Sequence, residues 1–185
     1  TLTGLTLGKA GNLTDVTLNS AVAITGPIVV YSPHITVNQA LTSSGAGLTL
    51  NGQSTLNGGS VSTTGAQSYS GAVTLGADTT LTAPSVTFGA AVSGTSLSVV
   101  GATTLNGGSV STTGAQSYSG AVTLGTDTTL TAPSVTFGAA VSGTSLSVVG
   151  ATTMNGSTIT TTGTQSYSGA VTLGADTTLA SKIGR

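Results

Sequence analysis

Charge is the property that this sequence most lacks. It contains three lysine and arginine residues and four acidic residues, and its net charge is -1. Binding to nucleic-acid phosphates depends on clustered Lys and Arg, so we expect no nucleic-acid partner. Threonine and serine supply 64 of the 185 residues. The exterior must therefore be wetted mainly by hydroxyl and amide groups.

Cysteine is absent, which excludes disulfide bonds and thiolate metal sites. No apolar run approaches the roughly 18 residues that a membrane-spanning helix needs, so we expect no membrane span. The longest apolar stretches, such as residues 28–31, have the length of a strand. The sequence shows neither an initiating Met nor a signal peptide, and we expect it to be part of a longer protein.

Internal repetition is the strongest positive signal. Residues 56–104 and 105–153 are identical except that Ala77 is replaced by Thr126, and a third, incomplete copy starts at Met154. The chain therefore has a 49-residue period. A weaker similarity divides each repeat into two units of about 24–25 residues, a length typical of repeat architectures. Five such units follow one another: 54–78, 79–102, 103–127, 128–151 and 152–176.

The local pattern has a period of two residues. Segments such as LSVV, VTL and SVTF alternate apolar residues with Thr or Ser, and Gly, Asn or Pro interrupts them at short intervals. This pattern is typical of short strands joined by turns. β-Branched residues fit a pleated surface, while the abundance of Gly argues against helices. The sequence therefore predicts an all-β fold.

Repeated units of one length predict a β-solenoid, a parallel β-helix in which each unit closes one rung. An antiparallel sandwich would explain the alternation but not the constant unit length. Rungs stacked at about 4.8 Å would give seven or so turns and a rod about 35 Å long. Equivalent residues would form ladders, which are Leu56, Leu81, Leu105, Leu130, Met154 and Leu179 in one case and Val61, Val86, Val110, Val135 and Ile159 in another.

This reasoning predicts one solenoid segment over residues 1–185. We expect diverged rungs in 1–53, five regular rungs in 54–176, and the start of a further rung or a tail in 177–185. The two-rung repeat would let duplication change the length of the rod without altering its cross-section.

Residues 35–52 (ITVNQALTSSGAGLTLNG) and 68–83 (SYSGAVTLGADTTLTA) resemble passages of filamentous-haemagglutinin-like exoproteins. These are large secreted β-helical adhesins of the two-partner secretion pathway in Gram-negative bacteria, and autotransporter passengers are a close second. The resemblance implies a right-handed parallel β-helix, export across the outer membrane, and an extracellular or cell-surface location. The N-terminal secretion domain of such proteins is not recognisable here, which favours a shaft segment.

Titratable residues give no candidate catalytic, cofactor or metal site. Asp78, Asp127 and Asp176 recur once per repeat, and on a two-rung repeat they would stand about 9–10 Å apart along the axis. That separation is too large for a shared metal ion or an acid/base pair. We expect each Asp to accept backbone N–H bonds at a corner.

The remaining distinctive residues also have structural interpretations. We expect His34 to be solvated in a turn, and Lys9, Lys182 and Arg185 to be solvating charges. The aromatic series Tyr69, Tyr118 and Tyr167, with Phe88 and Phe137, could stack on carbohydrate, but packing in the core or at corners is favoured. The sequons at Asn12 and Asn155 match Asn-x-Ser/Thr and are expected by chance in a chain this rich in Ser and Thr.

Three functions are compatible with the sequence. The leading hypothesis is a non-catalytic shaft of a bacterial surface adhesin or extracellular biofilm fibre, able to self-associate axially or laterally, with its receptor unidentified. The second is an ice-binding solenoid, since Thr80 and Thr82 would point outward beside Leu81. On the predicted rungs, that pair would alternate with Thr104 and Asn106, which breaks the lattice. A glycan-active β-helix enzyme is the third.

Overall fold

The computed structural model describes residues 2–156 and 158–182, and these residues form strands without a helix. All paired strands are parallel and stack in successive coils, so the predicted β-solenoid is confirmed. The right-handed sense stays a prediction. The strands are β1 Leu5–Leu7, β2 Val16–Leu18, β3 Val22–Ile24, β4 Ile28–Val37, β5 Leu41–Ser43, β6 Leu48–Leu56, β7 Ser60–Thr63, β8 Gln67–Tyr69, β9 Val73–Leu75, β10 Thr79–Phe88, β11 Val92–Gly94, β12 Leu97–Leu105, β13 Ser109–Thr112, β14 Gln116–Tyr118, β15 Val122–Leu124, β16 Thr128–Phe137, β17 Val141–Gly143, β18 Leu146–Met154, β19 Thr158–Thr161, β20 Gln165–Tyr167, β21 Val171–Leu173 and β22 Thr178–Ser181.

Each turn of the solenoid has three faces. Face A includes β1, β8, β15 and β22, face B includes β2, β9, β13 and β20, and face C includes β3, β7, β14 and β21. The long strands β4, β6, β10, β12, β16 and β18 each supply segments to two faces. In β10, for example, the first half pairs with β7 on face C and the second half pairs with β8 on face A. The pairing register shifts between Thr82 and Ser85, where the strand passes from one face to the next.

The pairing register gives the length of a turn, which is about 17–20 residues at most positions and longer in the first turn. The predicted rung of about 24–25 residues is therefore wrong, and the five units of 54–176 are not five rungs. Leu81 pairs with Val61 below and Val99 above, where "above" means later in the chain. Leu105 instead lies between Phe88 and Leu124 on another face. Three faces, each made of a short strand and a short corner, close in fewer residues than the predicted unit contains.

The predicted ladders are wrong for the same reason, because residues one predicted unit apart do not stack. The solenoid has about nine turns, not seven. At about 4.8 Å per turn, its length is about 43 Å. Residues 183–185 of the predicted tail lie outside the described residues.

The sequence repeat and the structural turn have different lengths. From Gln67 to Gln116, the chain passes through eight strand segments, which are two and two-thirds turns. The identical tripeptide Gln-Ser-Tyr consequently forms β8 on face A, β14 on face C and β20 on face B. Identical segments therefore never stack directly on one another.

The core is made of inward-pointing columns that contain unlike apolar residues. Strands of pattern in–out–in bury their first and third side chains and expose the middle one. The inward column of face C contains Val22, Leu41, Val61, Leu81, Val99, Tyr118, Phe137, Met154 and Leu173. Burial of these columns is the main stabilising contribution to the fold.

One edge of the solenoid carries a ladder of asparagine side chains. Asn38 Nδ2 donates to Asn19 Oδ1, and Asn57 Nδ2 donates to Asn38 Oδ1, both at 2.8 Å. Gly76 follows one turn later, and the side chain of Asn57 lies over it. Stacked amides satisfy one another along the axis, as they do in other stacked β structures.

Candidate functional site

The three repeat tyrosines belong to a buried hydrogen-bond network. Tyr69 is fully buried, and its hydroxyl donates to Gln67 Oε1 at 2.9 Å. Gln67 Nε2 in turn donates to the carbonyl oxygens of Val61 and Thr82, at 3.1 and 3.0 Å. The same bonds recur around Tyr118 and Tyr167. The phenol is thus a structural donor that satisfies a buried glutamine.

Aromatic stacking completes this network. The ring centroids of Tyr69 and Phe88 are 5.4 Å apart, and those of Tyr118 and Phe137 are 5.9 Å apart, with the two rings of each pair nearly parallel. Burial raises the pKa of Tyr69 and of Tyr118 above the ordinary value. The half-buried Tyr167 has a pKa raised by burial to about 12. The prediction of core packing is confirmed for the two stacked pairs, which leaves their rings unavailable to carbohydrate.

Sequence reasoning missed the glutamines Gln67, Gln116 and Gln165. Gln67 and Gln116 are buried at inward positions of their strands, where an amide must find partners. A glutamine two residues before each tyrosine was a visible signal, because both side chains then point to the same side of the strand.

The aspartates do not form an axial ladder. Asp78 follows β9 on face B, Asp127 follows β15 on face A, and Asp176 follows β21 on face C, so they occupy three different edges. Their expected spacing along one face is wrong, because the repeat is not a whole number of turns. All three are exposed. No two of them can act on one substrate atom or share one ion.

The expected role of these carboxylates at the corners is also wrong. Within the described residues, no hydrogen bond to the carboxylate of Asp78, Asp127 or Asp176 is formed. The corner is closed instead by the threonine that follows. Thr79 Oγ1 donates to the Ala77 carbonyl at 2.7 Å, and the equivalent hydroxyls in the next two repeats make the same bond.

Lys9 and Asp15 lie in the corner loop of residues 8–15, and His34 lies beside this loop within β4, not in the expected turn. His34 Nδ1 is 3.0 Å from Asp15 Oδ1, and both side chains are exposed. Lys9 and Lys182 are exposed, as expected, while Arg185 lies outside the described residues. An exposed pair of this kind contributes little to stability. Across residues 2–156 and 158–182, no three His, Cys, Asp or Glu side chains group as a metal site would require.

The two sequons have different settings. Asn12 Nδ2 donates to the carbonyl oxygens of Thr14 and Tyr31, at 3.1 and 3.0 Å, so both amide hydrogens are used in the folded chain. Asn155 is exposed, and its side chain lies over Gly174. Ser157 of that sequon lies outside the described residues.

Outward hydroxyls form long rows on the faces. Thr80 and Thr82 are both exposed, but they pair with Ser60 and Ser62 below and with Ser98 and Val100 above. The expected alternation with Thr104 and Asn106 is therefore wrong. One unbroken row of seven hydroxyl residues, which ends at Val29 and Ala180, runs along face A through Thr49, Ser68, Thr87, Thr104, Thr123, Ser142 and Thr160.

Two shallow clefts lie at the last turn. One is lined by Gln165, Tyr167 and Leu179, among others, and the second by the corner around Asp176. Both arise where β20, β21 and β22 have a strand below but none above within the described chain. Over the same residues, no helix has the length and apolarity required to cross a membrane.

No family model, curated protein or solved structure matches this chain.

Proposed function

We propose that the chain is a non-catalytic structural shaft of a secreted bacterial surface adhesin or extracellular biofilm-matrix fibre. The observation that carries this proposal is the stack of about nine turns with continuous buried columns. Every turn is hydrogen-bonded to the turns beside it along the axis, so bending or stretching the rod must distort many bonds together. Such a rod holds distant parts of a long protein apart.

The exterior suits a fibre that works among copies of itself. Only 4% of the residues are charged, and the outward positions are rich in Thr and Ser. Solubility then comes from hydroxyl groups, and neighbouring shafts repel one another weakly. Lateral self-association is compatible with this weakly charged surface. Axial self-association is compatible with the unpaired edges of β20–β22, to which the strands of another copy could add.

The dispersed carboxylates favour a structural role over catalysis. General acid/base or metal-assisted chemistry needs titratable groups within reach of one reacting atom. Asp78, Asp127 and Asp176 stand on separate edges instead. The glycan-active alternative predicts a polysaccharide-degrading activity that Asp127→Asn abolishes, and detection of such an activity would contradict the shaft proposal.

Surface labelling tests the proposed location. Antibodies raised against this chain should label intact, unpermeabilised cells of the bacterium that makes it, and gold particles should follow filaments or the cell surface in electron micrographs. An antibody against a cytoplasmic protein serves as the control and should label permeabilised cells alone. Labelling confined to permeabilised cells would refute the extracellular proposal.

Ice binding is the second candidate, and the unbroken row of seven hydroxyl residues on face A is the observation that favours it. A strand of three residues places a single side chain outward, so β8, β15 and β17 each contribute only one rank on this face. A flat ice-binding lattice needs at least two regular ranks. We therefore expect no thermal hysteresis from the purified chain, and clear activity would reverse the order of the two candidates.

A further inference from the structure

The 49-residue repeat covers two and two-thirds turns, so each copy begins on a different face from the copy before it. Eight strand segments per repeat move each copy by one face relative to the copy before it. Tyr69, Tyr118 and Tyr167 accordingly lie on faces A, C and B. The exposed aspartates occupy the three edges in the same progression.

The contacts between successive turns nevertheless stay the same wherever repeat residues contact repeat residues. Tyr69 stacks on Phe88, and Tyr118 stacks on Phe137 in the next copy. Gln67 bonds the Thr82 carbonyl, and Gln116 bonds the equivalent carbonyl of the next copy. Wherever both partners belong to the repeats, a residue meets the same neighbours one turn away, although the face on which they meet changes. A copy can therefore be joined to another copy without disturbing the core.

We propose that the number of 49-residue repeats sets both the length of the rod and the face from which the segment beyond the repeats continues. Gain or loss of one copy shifts everything beyond it by about 13 Å along the axis, which is two and two-thirds turns. It also moves everything beyond it to the neighbouring face, and three copies restore the original face. This deepens the proposed shaft function, because in a shaft the repeat number would set which way the following segment points.

Spin-label distances test this proposal, and the absence of cysteine makes single-site labelling simple. Thr80, Thr123 and Thr172 are exposed. In the full chain, Thr80 and Thr172 lie in one outward column of face C. They are five steps apart, where a step is the spacing of about 4.8 Å between adjacent turns, so the distance between them is about 24 Å. Deletion of 105–153 gives Thr172 the position that Thr123 holds on face A.

The deletion chain labelled at Thr80→Cys and Thr172→Cys should therefore give the distance distribution of the full chain labelled at Thr80→Cys and Thr123→Cys. A distance of about 10–15 Å between the labels, which is the rise of two or three turns, would place both labels on face C and overturn the proposal. Loss of the β signal in circular dichroism would also overturn it, because the repeat would then not be a self-contained unit.

A second deletion is the matched control. Removal of 98–152 takes out three whole turns and joins Leu97 to Thr153, which keeps the strand on face C. Thr172 should then lie two steps above Thr80, about 10 Å away. The two deletions differ by six residues in length, yet only that of 105–153 should change the face. These distances are measured on purified protein, so their failure would leave the test of surface location unaffected.

Discussion

A hydroxyl group without a partner lies in the middle of the core. Thr103 is 1% exposed, and its Oγ1 forms no hydrogen bond. Its inward column neighbours are Val86 below and Val122 above. Replacing Thr103 with Val exchanges the hydroxyl for a methyl group of nearly the same size and continues a column of valines. We therefore expect Thr103→Val to stabilise the fold.

The magnitude follows from the cost of burying a polar group. A buried hydroxyl without a partner costs about 1–3 kcal/mol in mutational studies. Thr103→Val should raise the free energy of unfolding by an amount in this range. For a chain of this size, each 1 kcal/mol corresponds to a rise in Tm of about 2–4 °C.

Urea unfolding followed by far-UV circular dichroism measures this change, provided that the slope of the transition is unchanged. Thr128→Val is the matched control, since Thr128 opens the same Thr-Thr-Leu motif and is similarly buried. Its hydroxyl donates to the Thr126 carbonyl at 2.8 Å, and losing this bond should cost about 0.5–1.5 kcal/mol. If both variants shifted the midpoint in the same direction, the assignment of an unsatisfied hydroxyl at Thr103 would be refuted.

Three further substitutions test other parts of the structure. Gly101 has a φ of +125°, and a Cβ at this position would overlap the Ala83 carbonyl oxygen. Gly11 also has a positive φ, of +80°, but the space around it is open, so Gly11→Ala should lower the free energy of unfolding by only about 1–2 kcal/mol of backbone strain. Gly101→Ala should lower the free energy of unfolding, measured in urea, by more than Gly11→Ala does. Because burial raises the pKa of Tyr118, the free energy of unfolding should be flat up to the unfolded pKa of about 10 and should fall at higher pH. Tyr118→Phe should lessen that fall, and equal urea midpoint shifts between about pH 8 and pH 11 in both proteins would contradict this assignment. Asn38→Ala removes two ladder bonds of about 0.5–1.5 kcal/mol each, and a midpoint unchanged within error would show that the ladder does not stabilise the fold.

The fold class could be predicted from the sequence because alternation and repetition both survive in it. The turn length could not be derived from the 49-residue period, because that period records duplication of the sequence and not closure of a turn. The number of residues in a turn is also not visible as a sequence repeat, because stacked residues such as Leu81, Val99 and Tyr118 differ in type and would not align with one another. A usable signal was present in Asn19, Asn38 and Asn57, which recur at the spacing of one turn and stack.

The burial of a side chain could be predicted, but the column or edge in which it lies could not. Aromatic residues in an alternating strand must face one side or the other, and burial of Tyr69 and Phe88 follows from the hydrophobic effect. The placement of Asp127 depends instead on how many residues make one turn, so the wrong turn length aligned it with Asp78 and Asp176 along the axis. The corner bonds of Thr79 and Thr128 depend on backbone geometry that the sequence does not display.

The unlike composition of the columns separates this fold from amyloid. In a cross-β fibril, identical segments of different chains pair in register, and each side chain lies on its own copy. In this solenoid, tyrosine lies on phenylalanine and glutamine lies beside valine or leucine. Conversion to such a fibril would have to break these pairs, although the asparagine ladder and single pairs such as Leu105 on Leu124 already stack like on like.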